Sequence, residues 1–192
     1  NMPSTYAHYR MGQEVYRNLT GKPKQIIEKY KELYDIGLHG PDILFYYKAL
    51  KSHPVNQQGH TVHENFADTF FEHAVSVIEK AEDPAAARVY IYGVICHFAL
   101  DSECHPYVEK IMQVGRVSHN EIEMELDRMM LTEDYHDPLR YLTAKHIQPK
   151  MEYAEVIAPF FKDVTAEQIY KALKGMVVYH KLFLAPTSGK RK

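Results

Sequence analysis

Five side chains able to ligate a metal recur at helical spacing between residues 97 and 123: His97, Asp101, His105, His119 and Glu123. His97-x3-Asp101-x3-His105 places three donors on one helix face, and His119-x3-Glu123 places two on another, because residues four apart on a helix are neighbours. Each set converges on one region of space, which is how a helical chain gathers imidazole and carboxylate ligands around an ion. The chemistry this predicts is metal-dependent hydrolysis, in which a bound ion activates water.

Each set also has an ordinary reading. His97 and Asp101 sit in the apolar run 89–101, where a buried histidine bonded to a carboxylate would suit a plain core. Gly93, one turn before His97, removes a side chain from that face and points to a cavity or a close approach of backbone. His119 and Glu123 lie in a mostly polar stretch and, taken alone, suit a solvated face. Two sets so close in sequence, in a chain with 12 histidines, favour metal binding. Three further positions say less by themselves. His60 and His63 lie three apart at a helix start, Asp42 follows Gly40-Pro41 where a helix cap is the usual role, and His8 stands among tyrosines.

The elements that must position these residues read as helix after helix, with no sustained period-two alternation, so the expected fold is all-α and one domain over 1–192. Apolar residues at Ile26, Ile27, Tyr30, Leu33 and Tyr34 predict a helix over 22–34, with Gly37 as its stop. Gly40-Pro41-Asp42 opens a short aromatic segment through Tyr47, and the polar residues 51–59, with Pro54 and Gly59, predict a loop. A long helix is expected over 61–80. Asp83-Pro84, a cap followed by proline at the first helical position, opens a helix that should end near His105-Pro106. Ser118 and Glu121 form a capping box that puts His119 in a first turn, and Thr165 with Gln168 forms another, opening a last helix to about Leu184. The tail 186–192 is expected to be disordered.

Composition bounds the function. A chain of 192 residues can bury a substantial core in one domain. A net charge of -2 with no basic stripe argues against duplex nucleic acid as a partner. No stretch predicts a transmembrane segment. The N-terminal residues carry no signal-peptide pattern, which predicts a cytoplasmic location, and Asn1 ahead of Met2 reads as the scar of a removed tag. Cys96 and Cys104, eight apart on one helix, would lie roughly 12 Å apart at 1.5 Å rise per residue, too far for a disulfide.

The segments STYAHYRMG (4–12), GLHGPDILFYY (37–47), HTVHENF (60–66), YGVICHFALDSECHPY (92–107) and SHNEIEMELD (118–127) together resemble the zinc-dependent phospholipase C family, whose all-α fold the fungal single-strand nucleases share. The resemblance covers roughly residues 3 to 130 and implies a cluster of two or three zinc ions. It assigns His63, His97 and Asp101 to one zinc, and His105, His119 and Glu123 to a second. His8 goes to a third zinc that shares Asp101 as a bridging carboxylate. Asp42 matches the acidic residue that orients or deprotonates the attacking water. The chain departs from the pattern at His105, which lies four residues past Asp101 where the better-known members have six. His60 is an alternative to His63. In secreted members a processed N-terminal amine also ligates the third zinc; here Pro3 lies nearer its histidine than that pattern has it.

The function implied is a zinc-dependent phosphoester hydrolase, phospholipase C-like, acting on a small-molecule or lipid phosphoester through a metal-activated water. The alternatives are a non-catalytic zinc-binding helical protein serving as a structural or interaction module, and a nuclease-type phosphodiesterase on single-stranded nucleic acid. Two other metal folds are disfavoured. A di-iron bundle needs two Glu-x-x-His motifs, and the sequence offers only Glu133-x-x-His136 outside any apolar helix. The dyad His136-Asp137 is followed by Pro138 in a polar stretch, where it better suits a helix cap.

Overall fold

In the computed structural model, residues 4–65 and 67–184 are described, with backbone alone for 61–65 and 67. Among them the structure is all-α. The helices are α1 (Thr5–Asn18), α2 (Gly21–Lys29), α3 (Lys31–Gly37), α4 (Pro54–Asn65), α5 (Ala67–Lys80), α6 (Pro84–Gly115), α7 (His119–Glu133), α8 (Met151–Ile157) and α9 (Ala166–Leu182). Two 3-10 segments, Gly40–Tyr46 and Ala158–Phe160, complete the order. None of the described helices is long and apolar enough to cross a membrane.

The 32-residue helix α6 is the spine, and α1, α2, α3, α5, α7 and α8 all pack on it. Its closest neighbour is α3, and glycine makes the approach. A Cβ on Gly93 would lie 2.4 Å from the Tyr34 carbonyl oxygen, and one on Gly37 would lie 2.2 Å from that of Tyr90. Of the two readings of Gly93, the close backbone approach is therefore the one found, and it seats His97 one turn further along the same helix. Around this crossing Tyr34, Ile36, Leu38, Ile43, Leu44 and Tyr90 are fully buried, with Ile157, Phe160, Ile169 and Leu173 closing the core from α8, the second 3-10 segment and α9.

Several sequence expectations are met at the helix starts. Asp83 accepts from the Ala86 N–H ahead of Pro84, and both capping boxes form, at Ser118/Glu121 and at Thr165/Gln168. Others are corrected. The helix expected over 22–34 is two, broken at Tyr30 (φ -122°, ψ 38°), so that α3 can turn to follow α6 while α2 keeps only Ile27 fully buried. The loop expected over 51–59 is helical from Pro54 onward. Pro54 occupies a favoured first-turn position. His53 acts as the cap: its Nδ1 accepts from the Val55 N–H at 3.1 Å, while the Asn56 side chain accepts from the His53 N–H at 3.1 Å. Of the helix expected over 61–80, residues 61–65 and 67–80 are helical, and residue 66 lies outside the described residues.

The helix expected to end at His105-Pro106 runs through the proline to Gly115 and stops at Arg116, in the left-handed conformation with φ 53°. A proline inside a helix removes one backbone hydrogen bond but does not oblige the chain to stop. His105 is thus an interior residue of α6 and not a terminal one. The expected tail 186–192 lies outside the described residues.

Candidate metal centre

Three helices and one 3-10 segment supply the cluster. His8 comes from the second turn of α1, Asp42 from the first turn of segment 40–46, His97 and Asp101 from α6, and His119 and Glu123 from α7. His8, Asp42 and His97 are almost wholly buried, at 4%, 3% and 0% exposure, so these polar groups have been taken out of water together. Ligand atoms of His8, His97 and Asp101 all lie within 4.8 Å of one another. Asp101 sits between the imidazoles, its Oδ1 3.1 Å from His8 Nε2 and its Oδ2 3.2 Å from His97 Nε2. The two rings stack, with centroids 4.3 Å apart. Asp42 Oδ2 lies 3.9 Å from His97 Nε2.

The orientation of His97 is decided on its far side. Its Nδ1 is 3.1 Å from the Leu38 carbonyl oxygen, which can only accept, so the proton of a neutral ring resides on Nδ1. The Nε2 lone pair of that neutral ring then faces the Asp101 and Asp42 carboxylates. Lone pair against carboxylate is repulsive unless a cation stands between them, and a metal ligand held by a carbonyl on its other nitrogen is a familiar arrangement. Gly40 makes room for the ring. Its φ is +48°, and a Cβ there would lie 2.6 Å from His97 Cδ2.

The second sequence pair also forms. His119 Nε2 and Glu123 Oε1 are 2.8 Å apart, and the His105 and His119 rings lie 5.6 Å apart. Burial pushes the Glu123 carboxyl up, and the neighbouring Asp42 and Asp101 carboxylates push in the same direction against the opposing pull of His119. The two groups therefore lie in one acidic region, although among the described residues only His8, His97 and Asp101 bring ligand atoms close enough together to hold one ion. The three carboxylates repel one another, and buried Glu123 Oε2 and His8 Nδ1 have no hydrogen-bond partner among the described residues. Imidazole nitrogens and carboxylate oxygens in this density, with orphaned buried acceptors, fit zinc.

The zinc-dependent phospholipase C family model matches residues 7–175. The chain belongs to this family. No curated protein and no solved structure gives a significant match. The matched span runs from Ala7, beside His8, past Glu123, and so includes every side chain assigned to a metal or to the attacking water from the sequence. For a member of the zinc-dependent phospholipase C family, the placements are uneven. His8, Asp42, His97 and Asp101 come together, and His119 and Glu123 form a pair with His105 alongside. The His63 side chain lies outside the described residues. His60, its alternative, packs on Phe45 with ring centroids 4.6 Å apart.

Two groups of polar residues escaped the sequence reading. One is Asp127, which continues the row His119, Glu123 by another four residues on α7. Its carboxylate accepts from Ser4 Oγ at 2.7 Å, Tyr6 N–H at 3.0 Å and Ala7 N–H at 2.9 Å. Extending the i,i+4 row one step would have flagged it. The other is a layer of three histidines, His39 buried and His146 and His180 half-buried. His39 Nε2 and His146 Nε2 are 2.6 Å apart, and Tyr9 stacks on His146 with centroids 4.1 Å apart. His180 contacts Tyr46 Oη at 3.0 Å and Thr143 Oγ1 at 3.2 Å. Burial holds His39 well below the usual imidazole range, His146 at about 3 and His180 at about 4. These histidines stay neutral and hold the core together. Nothing in their local sequence separates them from ligands.

Proposed function

We propose that this chain is a zinc-dependent phosphoester hydrolase, phospholipase C-like, whose substrate is a lipid or small-molecule phosphodiester. The observation that carries the reading is the Asp101 carboxylate held between His8 and His97 by both of its oxygens, at 3.1 and 3.2 Å, in a member of a zinc-dependent family. On this reading His97, Asp101 and His63 hold one zinc; His105, His119 and Glu123 hold a second; and His8 joins Asp101 at a third. Bound zinc supplies a Lewis acid for the phosphoryl oxygen and acidifies water to near neutral pKa.

The protein's own groups do the rest. The Leu38 carbonyl keeps the His97 proton on Nδ1 and its lone pair toward the site. Asp42, buried to 3% exposure on a 3-10 turn, would orient a water or accept its proton, because an ionised carboxylate is an acceptor only. The surrounding apolar core of α3 and α6 keeps water from the buried His8, Asp42 and His97 side chains and leaves these charges weakly screened.

The test joins metal content to turnover. Purified protein is expected to carry zinc and to hydrolyse bis(p-nitrophenyl) phosphate and phosphatidylcholine, with single-stranded DNA assayed in parallel. Asp42→Asn is expected to keep its zinc and lose roughly 100-fold or more in kcat, the usual scale for a general base. A wild-type protein without zinc and without turnover removes the hydrolase reading. Full activity of zinc-loaded Asp42→Asn removes the role of Asp42, and turnover of DNA alone moves the substrate to nucleic acid.

A further inference from the structure

The two buried imidazoles beside Asp101 are held in different ways. His97 has a ring partner, the Leu38 carbonyl on Nδ1, which fixes its plane directly. His8 has no such hydrogen bond among the described residues: its ring stacks on His97, but its Nδ1 is buried and without a partner. Such a ligand takes its position from its backbone, and here that backbone is the start of α1. The first N–H groups of a helix need an acceptor, normally the side chain of the N-cap residue. In α1 the N-cap is Ser4, and its side chain makes no cap bond. Its hydroxyl instead donates to Asp127 of α7, and the same carboxylate accepts from the Tyr6 and Ala7 N–H groups. The cap of α1 is thus supplied by another helix, and that helix also carries His119 and Glu123, eight and four residues earlier.

We infer that Asp127 is a positioning residue for zinc: it caps α1 from α7 and thereby sets His8 against Asp101. Because its two oxygens serve three donors within residues 4–7, they fix both the height and the rotation of the first turn of α1. The negative carboxylate at a helix N-terminus also matches the helix dipole. One face of α7 then does two things, offering two side chains to the pocket and, one turn on, delivering a third from α1. The inference rests on the reading of His8 as a zinc ligand.

A double-mutant cycle separates positioning from general loosening. Zinc affinity is measured by competition with a chromophoric chelator on wild type, Asp127→Asn, His8→Ala and the double variant, with helicity and Tm followed in each. Asn presents an amide NH2 to donors that need acceptors, so Asp127→Asn is expected to weaken zinc binding about 10-fold or more, the scale seen when groups supporting a metal ligand are removed. In the His8→Ala background the same change is expected to cost less than about 2-fold. Equal losses in both backgrounds, or no loss in the wild-type background, overturn the inference. If His8→Ala itself binds zinc as wild type does, the assignment of His8 fails and the inference with it. Should Asp127→Asn fail to fold, Ser4→Ala removes one of the three donors at the chain's edge. It is expected to show a smaller loss that likewise disappears without His8, and a loss that persists there overturns the inference.

Discussion

At the scale of single residues, the site depends on a position that no side chain could occupy. Gly40 has a left-handed φ of +48° and lies under the His97 ring, 2.6 Å from Cδ2 as judged by where a Cβ would stand. Any other residue pays twice, in backbone strain and in displacement of the ring. Gly40→Ala is therefore expected to lower stability by about 1–3 kcal/mol and to weaken zinc binding, because moving His97 breaks its contact with the Leu38 carbonyl. Thermal unfolding and zinc titration of the variant check both parts. An unchanged zinc affinity would show that His97 is not set by this contact. A comparable defect from Gly93→Ala should show in stability first, since its Cβ meets the Tyr34 carbonyl at 2.4 Å and wedges α3 from α6.

At the scale of elements, α6 carries a cost in its own middle. Pro106 lies inside the helix, so the Ser102 carbonyl loses its i+4 donor, and interior proline is worth on the order of 3 kcal/mol against other residues. Pro106→Ala is expected to raise Tm and helicity, and a fall in either would mean that the proline itself is needed for packing against α7. This element also shows what could be read from sequence. The caps at Asp83, Ser118 and Thr165 were legible because capping is local: one side chain answers an N–H two or three residues away. The rows His97/Asp101 and His119/Glu123 were legible for the same reason, through the helical repeat. The end of α6 was not, because the sequence rule for proline describes an isolated helix, whereas here the segment beyond Pro106 continues in the direction the helix already has. The break at Tyr30 and the cross-helix cap at Asp127 involve partners 53 and 121 residues away, Asp83 for Tyr30 and Tyr6 for Asp127, and no local pattern encodes them. For His8 the residue type alone gave no reason to place it beside Asp101; only the resemblance did.

At the scale of the whole molecule, the histidines not assigned to metal set how the protein responds to acid. His39, His146 and His180 tie segment 40–46, α9 and the stretch before α8 into one core, and burial depresses all three, His146 to about 3 and His180 to about 4. An unfolded histidine takes up its proton near pH 6.5. Below that pH the unfolded chain binds protons that the folded chain refuses, so stability is fully present above about 6.5 and is lost as pH falls toward 4. The slope reaches at most about 1.4 kcal/mol per pH unit for each such histidine. Metal-free protein is expected to lose Tm steadily between pH 7 and pH 5, with the far-UV helical signal intact until unfolding. His180→Gln removes one of the three groups while keeping a polar side chain for Tyr46 and Thr143, so its Tm should start lower at pH 7 and fall less steeply. On the proposed assignment of His8, His97, His105 and His119 to zinc, metal binding also competes with protons, so the metal-loaded protein should show the same acid limb displaced by the loss of metal. A Tm independent of pH from 7 to 5 in the metal-free protein would mean that these buried histidines accept protons as readily folded as unfolded, contrary to their packing against Tyr9, Tyr46 and one another.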